Sequence, residues 1–418
     1  MDITSPRLAR RITLALLVVQ SLGSAGSIGV ATVAAIVGAE LSGRASLAGA
    51  PGATYQLGVA FAALLWGTLS DRLGRRNALS LGLFTGVIGA FGALLGIITG
   101  SFGLLLLGLV VMGSGTASVQ LGRFAAAEVN PIARRGRAVA TVVLGGTFGS
   151  VVGPTLVAPT GAIADGLGWS ALAGPYLTVM VVYALSIVVL QFALRPDPKV
   201  IGEAVGRASP ITPTGPTRSL PQILRDPMVR TAVITVVLAH AVMVGMMQMT
   251  SLHMHGHAHT LAGISIVFSS HTFGMYAFSV VTGWLADRWG RLPVITSGAI
   301  ITLVSCLAAP LSPEVLPLAL ALFGLGIGWN LCFVAGSALL SDALSPAEKA
   351  RTQGINDLFV GLAGASAILF SGVLFAGAGY TVMGLTGAAL TLPILPLVAW
   401  LRRHRLDPVQ TAAGLNGG

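Results

Sequence analysis

Long apolar stretches dominate this sequence, and each is long enough to cross a lipid bilayer as a helix. Crossing the hydrocarbon core takes about 20 predominantly apolar residues. Twelve segments meet that length: 12–38, 53–71, 77–99, 102–127, 138–162, 174–194, 229–252, 262–286, 292–310, 315–341, 353–376 and 380–401. The chain is 54% hydrophobic and 9% charged, whereas a soluble domain carries about 25% charged residues. No packing in water hides that much apolar surface, so the lipid bilayer must be the solvent. The expected fold class is an all-α membrane protein of twelve transmembrane helices. The first apolar run, Ile12 to Gly38, is too long for a secretory signal and lacks a cleavage site, so it reads as a retained helix. Cys306 and Cys332 both fall inside apolar segments, which gives neither a disulfide framework nor zinc-finger spacing.

The basic residues test the count. A net charge of +10 raises nucleic acid as a partner, but in so apolar a chain Lys and Arg gather in the loops of one membrane face. With the N-terminus inside, 22 of the 24 Lys and Arg fall on inside segments. Arg44 alone sits in an outside loop, and Arg123 lies within span 4. A missed span would invert everything after it. Both termini are therefore expected in the cytoplasm, with no nucleic-acid partner. The polar, Pro- and Thr-rich stretch 195–228 lacks apolar periodicity and reads as a flexible cytoplasmic linker. It would separate an N-terminal six-helix bundle, 1–194, from a C-terminal one, 229–418.

A short fragment occurs twice. Gly67-Thr-Leu-Ser-Asp71-Arg72-Leu-Gly74-Arg75-Arg76 follows span 2, and Gly283-Trp-Leu-Ala-Asp287-Arg288-Trp-Gly290-Arg291 follows span 8. Their separation is close to half the chain, as a duplicated six-helix unit requires. Gly74 and Gly290 let the backbone reverse within a few residues. Asp71 and Asp287, beside arginines, form charge clusters able to latch neighbouring helix ends.

This repeated fragment resembles the signature of the major facilitator superfamily. The resemblance covers essentially the whole chain and implies two six-helix pseudo-symmetric bundles rocking around a central site. Gly149-x-x-x-Gly153-Pro154 in span 5 is a partial version of a motif found in exporters of that family. Its plainer role is a close-packing, bending element.

Histidine and methionine are unevenly placed. Six of the seven His and six of the eleven Met lie between His240 and Met275. On span 7, Met243 and Met247 are four residues apart and share a helix face, with His240 on about the same face. On span 8, His271 and Met275 repeat the spacing. If the two faces meet, thioethers and an imidazole converge, a neutral set that favours Cu(I). Methionine is also a common filler of helix packing, whereas an intramembrane histidine needs a polar partner. The intervening loop carries His253, His255, His257 and His259. Alternate histidines there could capture a metal ion ahead of an inward path, or serve as a polar, pH-sensitive gate. Cys332 could approach the centre but suits packing better.

Met-x-x-x-Met on span 7 with His-x-x-x-Met on span 8 is similar to the CcoA-like bacterial branch of the superfamily. That resemblance implies import of copper ion, as substrate rather than prosthetic group, for a cytoplasmic copper acceptor and assembly of cbb3-type cytochrome c oxidase. Met243, Met247, His271 and Met275 would be the metal site; His240, His253, His255, His257 and His259 are accessory candidates read from the residues alone. The turns Asp71, Arg72, Gly74, Arg75 and Asp287, Arg288, Gly290, Arg291 would gate. A drug or metabolite exporter, or an importer of another transition metal, is the alternative. The acids Asp71, Glu128, Asp165, Asp287, Asp342 and Asp357 fall near predicted helix ends, which argues against a carboxylate-driven antiporter. No phosphate loop or nucleophile motif suggests an enzyme.

Overall fold

The computed structural model describes residues 5–208 and 218–403. Arg405 and the middle of the expected linker, 209–217, lie outside the described residues. The N-terminal bundle consists of α1 (Pro6–Ser42), α2 (Ala50–Leu73), α3 (Arg75–Ile98), α4 (Phe102–Glu128), α5 (Ile132–Thr155), α6 (Val157–Gly166) and α7 (Gly174–Ala193). Two short helices follow, α8 (Pro198–Ala208) and α9 (Leu220–Arg225). The C-terminal bundle consists of α10 (Pro227–Gly256), α11 (Leu261–Tyr276), α12 (Ser279–Trp289), α13 (Arg291–Ala308), α14 (Val315–Asp342) and α15 (Pro346–Thr391), with residues 394–403 helical again.

Among the described residues, 10 helical stretches are long and apolar enough to cross a membrane. α2 adds another of spanning length, 24 residues, its apolarity diluted by Tyr55 and Gln56. The last stretch, Arg351–Arg403, is 53 residues, which as one straight helix would be about 80 Å long. It divides at Gly379, whose φ of 75° and ψ of −179° are non-helical. The result is twelve spans in two six-helix bundles.

Two spans expected to be continuous are broken. Pro154 lies inside the end of α5; it lacks an N–H and clashes with the preceding turn, and the chain restarts as α6. In span 8 the helix stops at Tyr276 and resumes at Ser279. Asn330 of α14 bridges this gap. Its Nδ2 donates to the Met275 carbonyl at 2.6 Å and to Ser279 Oγ at 2.8 Å, while Thr282 Oγ1 donates to its Oδ1.

Within the N-terminal bundle α3 packs along α4 and α1 along α5; in the C-terminal bundle α10 packs along α15 and α13 along α14. Glycine permits these approaches. A Cβ on Gly89 would lie 2.1 Å from the Met112 backbone nitrogen, so α3 and α4 meet backbone to backbone.

The repeated fragment builds the same turn twice. Gly74 has φ 80° and ψ 161°, Gly290 φ 90° and ψ 161°, a region open to glycine. Arg75 reaches Asp71 at 3.3 Å and donates through Nε to Glu128 Oε2, at the end of α4, at 2.9 Å. Arg291 bonds Asp287 and, through Nε, Asp342 at the end of α14 at 3.1 Å. Each latch therefore ties helices of its own bundle, while Arg72 and Arg288 are exposed and Arg288 lies over the Trp284 ring.

The expected flexible linker is partly helical, which corrects the sequence reading. α8 buries Ile201 against α4. Asp197, just before it, accepts hydrogen bonds from the Arg75 and Arg76 backbone N–H groups, each at 3.0 Å. A carboxylate there satisfies donors at the N-terminus of α3 and complements its dipole. Lys199 Nζ donates to the Asp71 carbonyl at 2.7 Å. Beyond the undescribed stretch, Arg218 bonds Glu348 at 3.0 Å and Asp226 at 3.1 Å. Hydrogen bonds from the Arg218 side chain and backbone hold the Glu348 carboxyl down at about 2.

The bundles meet firmly on the face opposite the turns, where α10 ends in histidines. A Cβ on Gly49 would lie 2.0 Å from the Ile368 carbonyl oxygen, so bare backbones touch across the divide. Thr272 Oγ1 donates to the Ser150 carbonyl at 2.9 Å, and Ser269 Oγ to the Val151 carbonyl at 3.2 Å. Nearer the turn face, Arg123 of α4 faces Asp357 of α15 at 3.7 Å. Asp357 thus lies three turns inside its helix and is paired across the bundles, a position that its place near the start of span 11 did not reveal.

Candidate functional site

Met243, Met247, His271 and Met275 are all buried, at 7% exposure or less. They come from helices that scarcely touch: α10 packs on α15 and α14, whereas α11 packs on α14 and α5. Spacing set which face each residue occupies, but α14 stands against both helices. Met243 and Met275 share an apolar cluster with Ala239 and Trp329. Met247 belongs to a second cluster, with Met246, Met249, Met254, Cys306 and Tyr380. His271 Nδ1 pairs with the Leu322 carbonyl of α14 at 2.8 Å, which leaves Nε2 buried and without a hydrogen-bond partner. No group of three or more His, Cys, Asp or Glu among the described residues is arranged to hold a metal. Cys332 donates to the Ile295 carbonyl of α13 at 3.7 Å, a packing role.

A different constellation gathers around Trp329 of α14. Its ring lies 6.3 Å from the His240 ring of α10, 6.1 Å from Tyr276 of α11 and 4.7 Å from Phe333, the last nearly parallel. Gly364 of α15 completes the wall: a Cβ there would be 3.1 Å from His240 Nε2. Trp329 Nε1 and His240 Nδ1 are both buried without a partner. Orphaned buried donors and acceptors are rare in native structures and call for an explanation. Three helices thus present rings and two unsatisfied polar atoms at one place, with a glycine of a fourth beside them. The sequence reading included His240 for its position on the methionine face and missed Trp329 and Tyr276. One tryptophan inside an apolar span gives no periodic signal.

Of the histidines between spans 7 and 8, two belong to a helix and two to the loop after it. α10 runs on to Gly256, so His253 and His255 belong to its last turn. Residues two apart on a helix point to different sides, and the alternate histidines diverge. His255 Nε2 reaches Glu40 Oε1 of α1 at 3.3 Å, across the bundles. His253 stacks on Tyr380 of α15, with centroids 4.3 Å apart and 9° between planes. His257, one turn on, meets the His253 ring edge-on at 4.5 Å. His259 follows Ala258, whose φ is 60°.

Two bundles of six spans, latched at matching turns, with a polar-dotted aromatic cluster in the second, define a membrane carrier. The chain belongs to the Major Facilitator Superfamily, whose profile matches residues 14–262 and 249–416. It is 37% identical over 392 residues to the MFS-type transporter YdeG of Bacillus subtilis (strain 168), covering 92% of this chain and 90% of that one. It is also 32% identical over 411 residues to the riboflavin transporter RfnT of Brucella anthropi, covering 98% and 99%. Among solved structures, the partially occluded inward-open xylose transporter XylE of E. coli superposes with a TM-score of 0.66 at 17% identity, over 92% of this chain and 97% of that one. A bacterial homolog of the lysosomal transporter Spinster gives 0.66 at 18%, over 94% of each chain. Those two likenesses concern the fold alone.

Proposed function

We propose that the protein carries a small organic solute with a planar heterocycle, of the riboflavin class, into the cytoplasm by alternating access. Both termini and the arginine-rich turn face would lie in the cytoplasm of a bacterial cell, as the positive-inside distribution requires. The observation that carries the substrate class is the pair of orphaned atoms, Trp329 Nε1 and His240 Nδ1, beside the rings of Tyr276 and Phe333. A planar heterocycle with ring nitrogens and carbonyls offers a π-face for stacking and polar edge atoms for those two partners. Full-length similarity to a riboflavin transporter supports the same class. The test is riboflavin uptake in auxotrophic cells lacking their own importer. Wild type should restore growth at low riboflavin, and Trp329→Leu should raise the concentration required about tenfold or more. Wild-type cells that grow no better than vector controls would remove riboflavin as cargo.

A second reading, copper import for a cytoplasmic copper acceptor and oxidase assembly, is favoured by one observation. His271 Nε2 is buried without a partner one helical turn from Met275, and a fixed Nδ1 bond is the usual way to aim the other nitrogen at a metal. Radiocopper uptake separates the readings. Copper as cargo requires faster accumulation by wild type than by Met243→Ala, Met247→Ala or His271→Ala at equal membrane abundance, and identical rates exclude it.

A further inference from the structure

The C-terminal end of α10 and its cap hold two imidazoles in a geometry that neither cargo reading uses. His253 lies in the last turn of α10 and His257 is the residue that caps it, four positions on, which brings the two rings to the same side of the helix end. Their ring centroids are 4.5 Å apart. Each ring is fixed independently. The His253 ring lies flat on Tyr380, whose hydroxyl is anchored to Thr250 Oγ1 at 2.7 Å. His257 Nδ1 sits 2.9 Å from the His253 carbonyl oxygen. Since a carbonyl only accepts, Nδ1 carries the proton, and the Nε2 lone pair is free to face outward. A carbonyl bond that sets the tautomer is the ordinary outer support of a metal-binding imidazole.

Backbone strain concentrates at the same place. Ala258, with φ of 60°, is the one non-glycine residue at positive φ among the described residues. A side chain is strained in that conformation, and glycine would ordinarily occupy it. Here it closes the helix: Ala258 N–H donates to the His255 carbonyl at 3.0 Å and His259 N–H to the Met254 carbonyl at 3.1 Å. The chain is thereby stopped one residue after His257, which keeps that ring exposed at the helix end.

We infer that His253 and His257 form a two-histidine site for a borderline divalent cation of the Zn(II), Ni(II) or Cu(II) class, on the face where the bundles are sealed. Imidazole nitrogen suits these ions. With no third His, Cys, Asp or Glu arranged to complete a ligand group among the described residues, water takes the remaining positions when the ion binds. A bound ion staples the end of α10 while His253 stays stacked on α15, beside the His255–Glu40 contact between bundles. Both ligands and Tyr380 belong to the C-terminal bundle, so the ion acts by stiffening the turn whose His255 meets Glu40 across the divide, and thereby slows the carrier whatever its cargo.

The experiment is a Zn(II) titration of the full chain, purified in detergent without a histidine tag, by isothermal titration calorimetry. Wild type should bind one ion at this site. His257→Gln, an exposed replacement that leaves the fold intact, should weaken binding by about tenfold or more, the scale of a disturbed ligand sphere. His255→Ala, on the other side of the helix, should bind as wild type does. Zn(II) should slow transport by wild type in proteoliposomes and leave His257→Gln unaffected. Equal Zn(II) affinity in wild type and His257→Gln, or equal inhibition of the two, overturns the site.

Discussion

At the residue scale, Asn330 does the work of three backbone bonds. Span 8 is broken between Tyr276 and Ser279, and Asn330 bonds the Met275 carbonyl, the Ser279 hydroxyl and the Thr282 hydroxyl around that break, where Ser279 also donates to the Tyr276 carbonyl at 2.9 Å. Removing it leaves buried polar groups unpaired in a medium with no water, at about 1–3 kcal/mol for each group. Asn330→Ala should therefore lower the thermal unfolding midpoint in detergent by several degrees, whereas Ser279→Ala, which deletes one partner, should lower it much less. Equal shifts would mean that the break is held by packing instead. The break itself was hidden in the sequence, because Ala277 and Phe278 are as apolar as their neighbours and neither Gly nor Pro marks the place.

At the element scale, the decisive parts are the short pieces between spans. α8 is fastened by Asp197, which caps α3 from a distance. Asp197→Ala should speed amide exchange at Arg75 and Arg76 and expose the segment after α7 to protease, with spans elsewhere unchanged. Unaltered exchange at both amides would show that the cap is dispensable. The Arg218–Glu348 tie has a defined acid limit. Glu348 is depressed from 4.5 to about 2, so its contribution is complete above 4.5 and is lost as the pH falls from 4.5 through about 2. Between pH 5 and 8 the tie should be constant, and an Arg218→Ala variant should show the same pH dependence of unfolding as wild type in that range. The spans themselves were legible, since a run of twenty apolar residues has no other use, and the arginines checked their number. The histidine segment was half legible: the helix continues through His253 and His255 to Gly256, while His257 and His259 lie in the loop that the alternation suggested. The partner of each face was beyond reach: four-residue spacing places Met243 and Met247 on one side of α10 but does not say that α14 stands between it and α11.

At the scale of the whole molecule, the two bundles are joined more firmly on the histidine face than on the turn face. Gly49 is the tightest point, with no room for a Cβ against Ile368. A side chain there must wedge the bundles apart. Gly49→Leu should shift the population toward the form open on the histidine face, read as increased labelling by a membrane-impermeant thiol reagent of a cysteine placed at Ser269. Unchanged labelling would show that the seal lies elsewhere. The duplication of the turn, by contrast, was readable at once, because Gly74 and Gly290 each serve a backbone conformation that few other residues adopt.

That seal has an electrical consequence. Moving one elementary charge through the membrane field is worth about 2.3 kcal/mol per 100 mV, yet the groups meeting at Gly49, Ile368 and Gly372 are uncharged main chain. Opening and closing them transfers no charge, and the Arg123–Asp357 pair nearer the turn face carries no net charge, so the cargo is the main remaining source of voltage dependence. A neutral flavin should cross at a rate nearly independent of an imposed potential in proteoliposomes, whereas copper ions unaccompanied by a counterion should be driven by it. A valinomycin-set potassium potential therefore reads the charge of the cargo from the behaviour of the carrier.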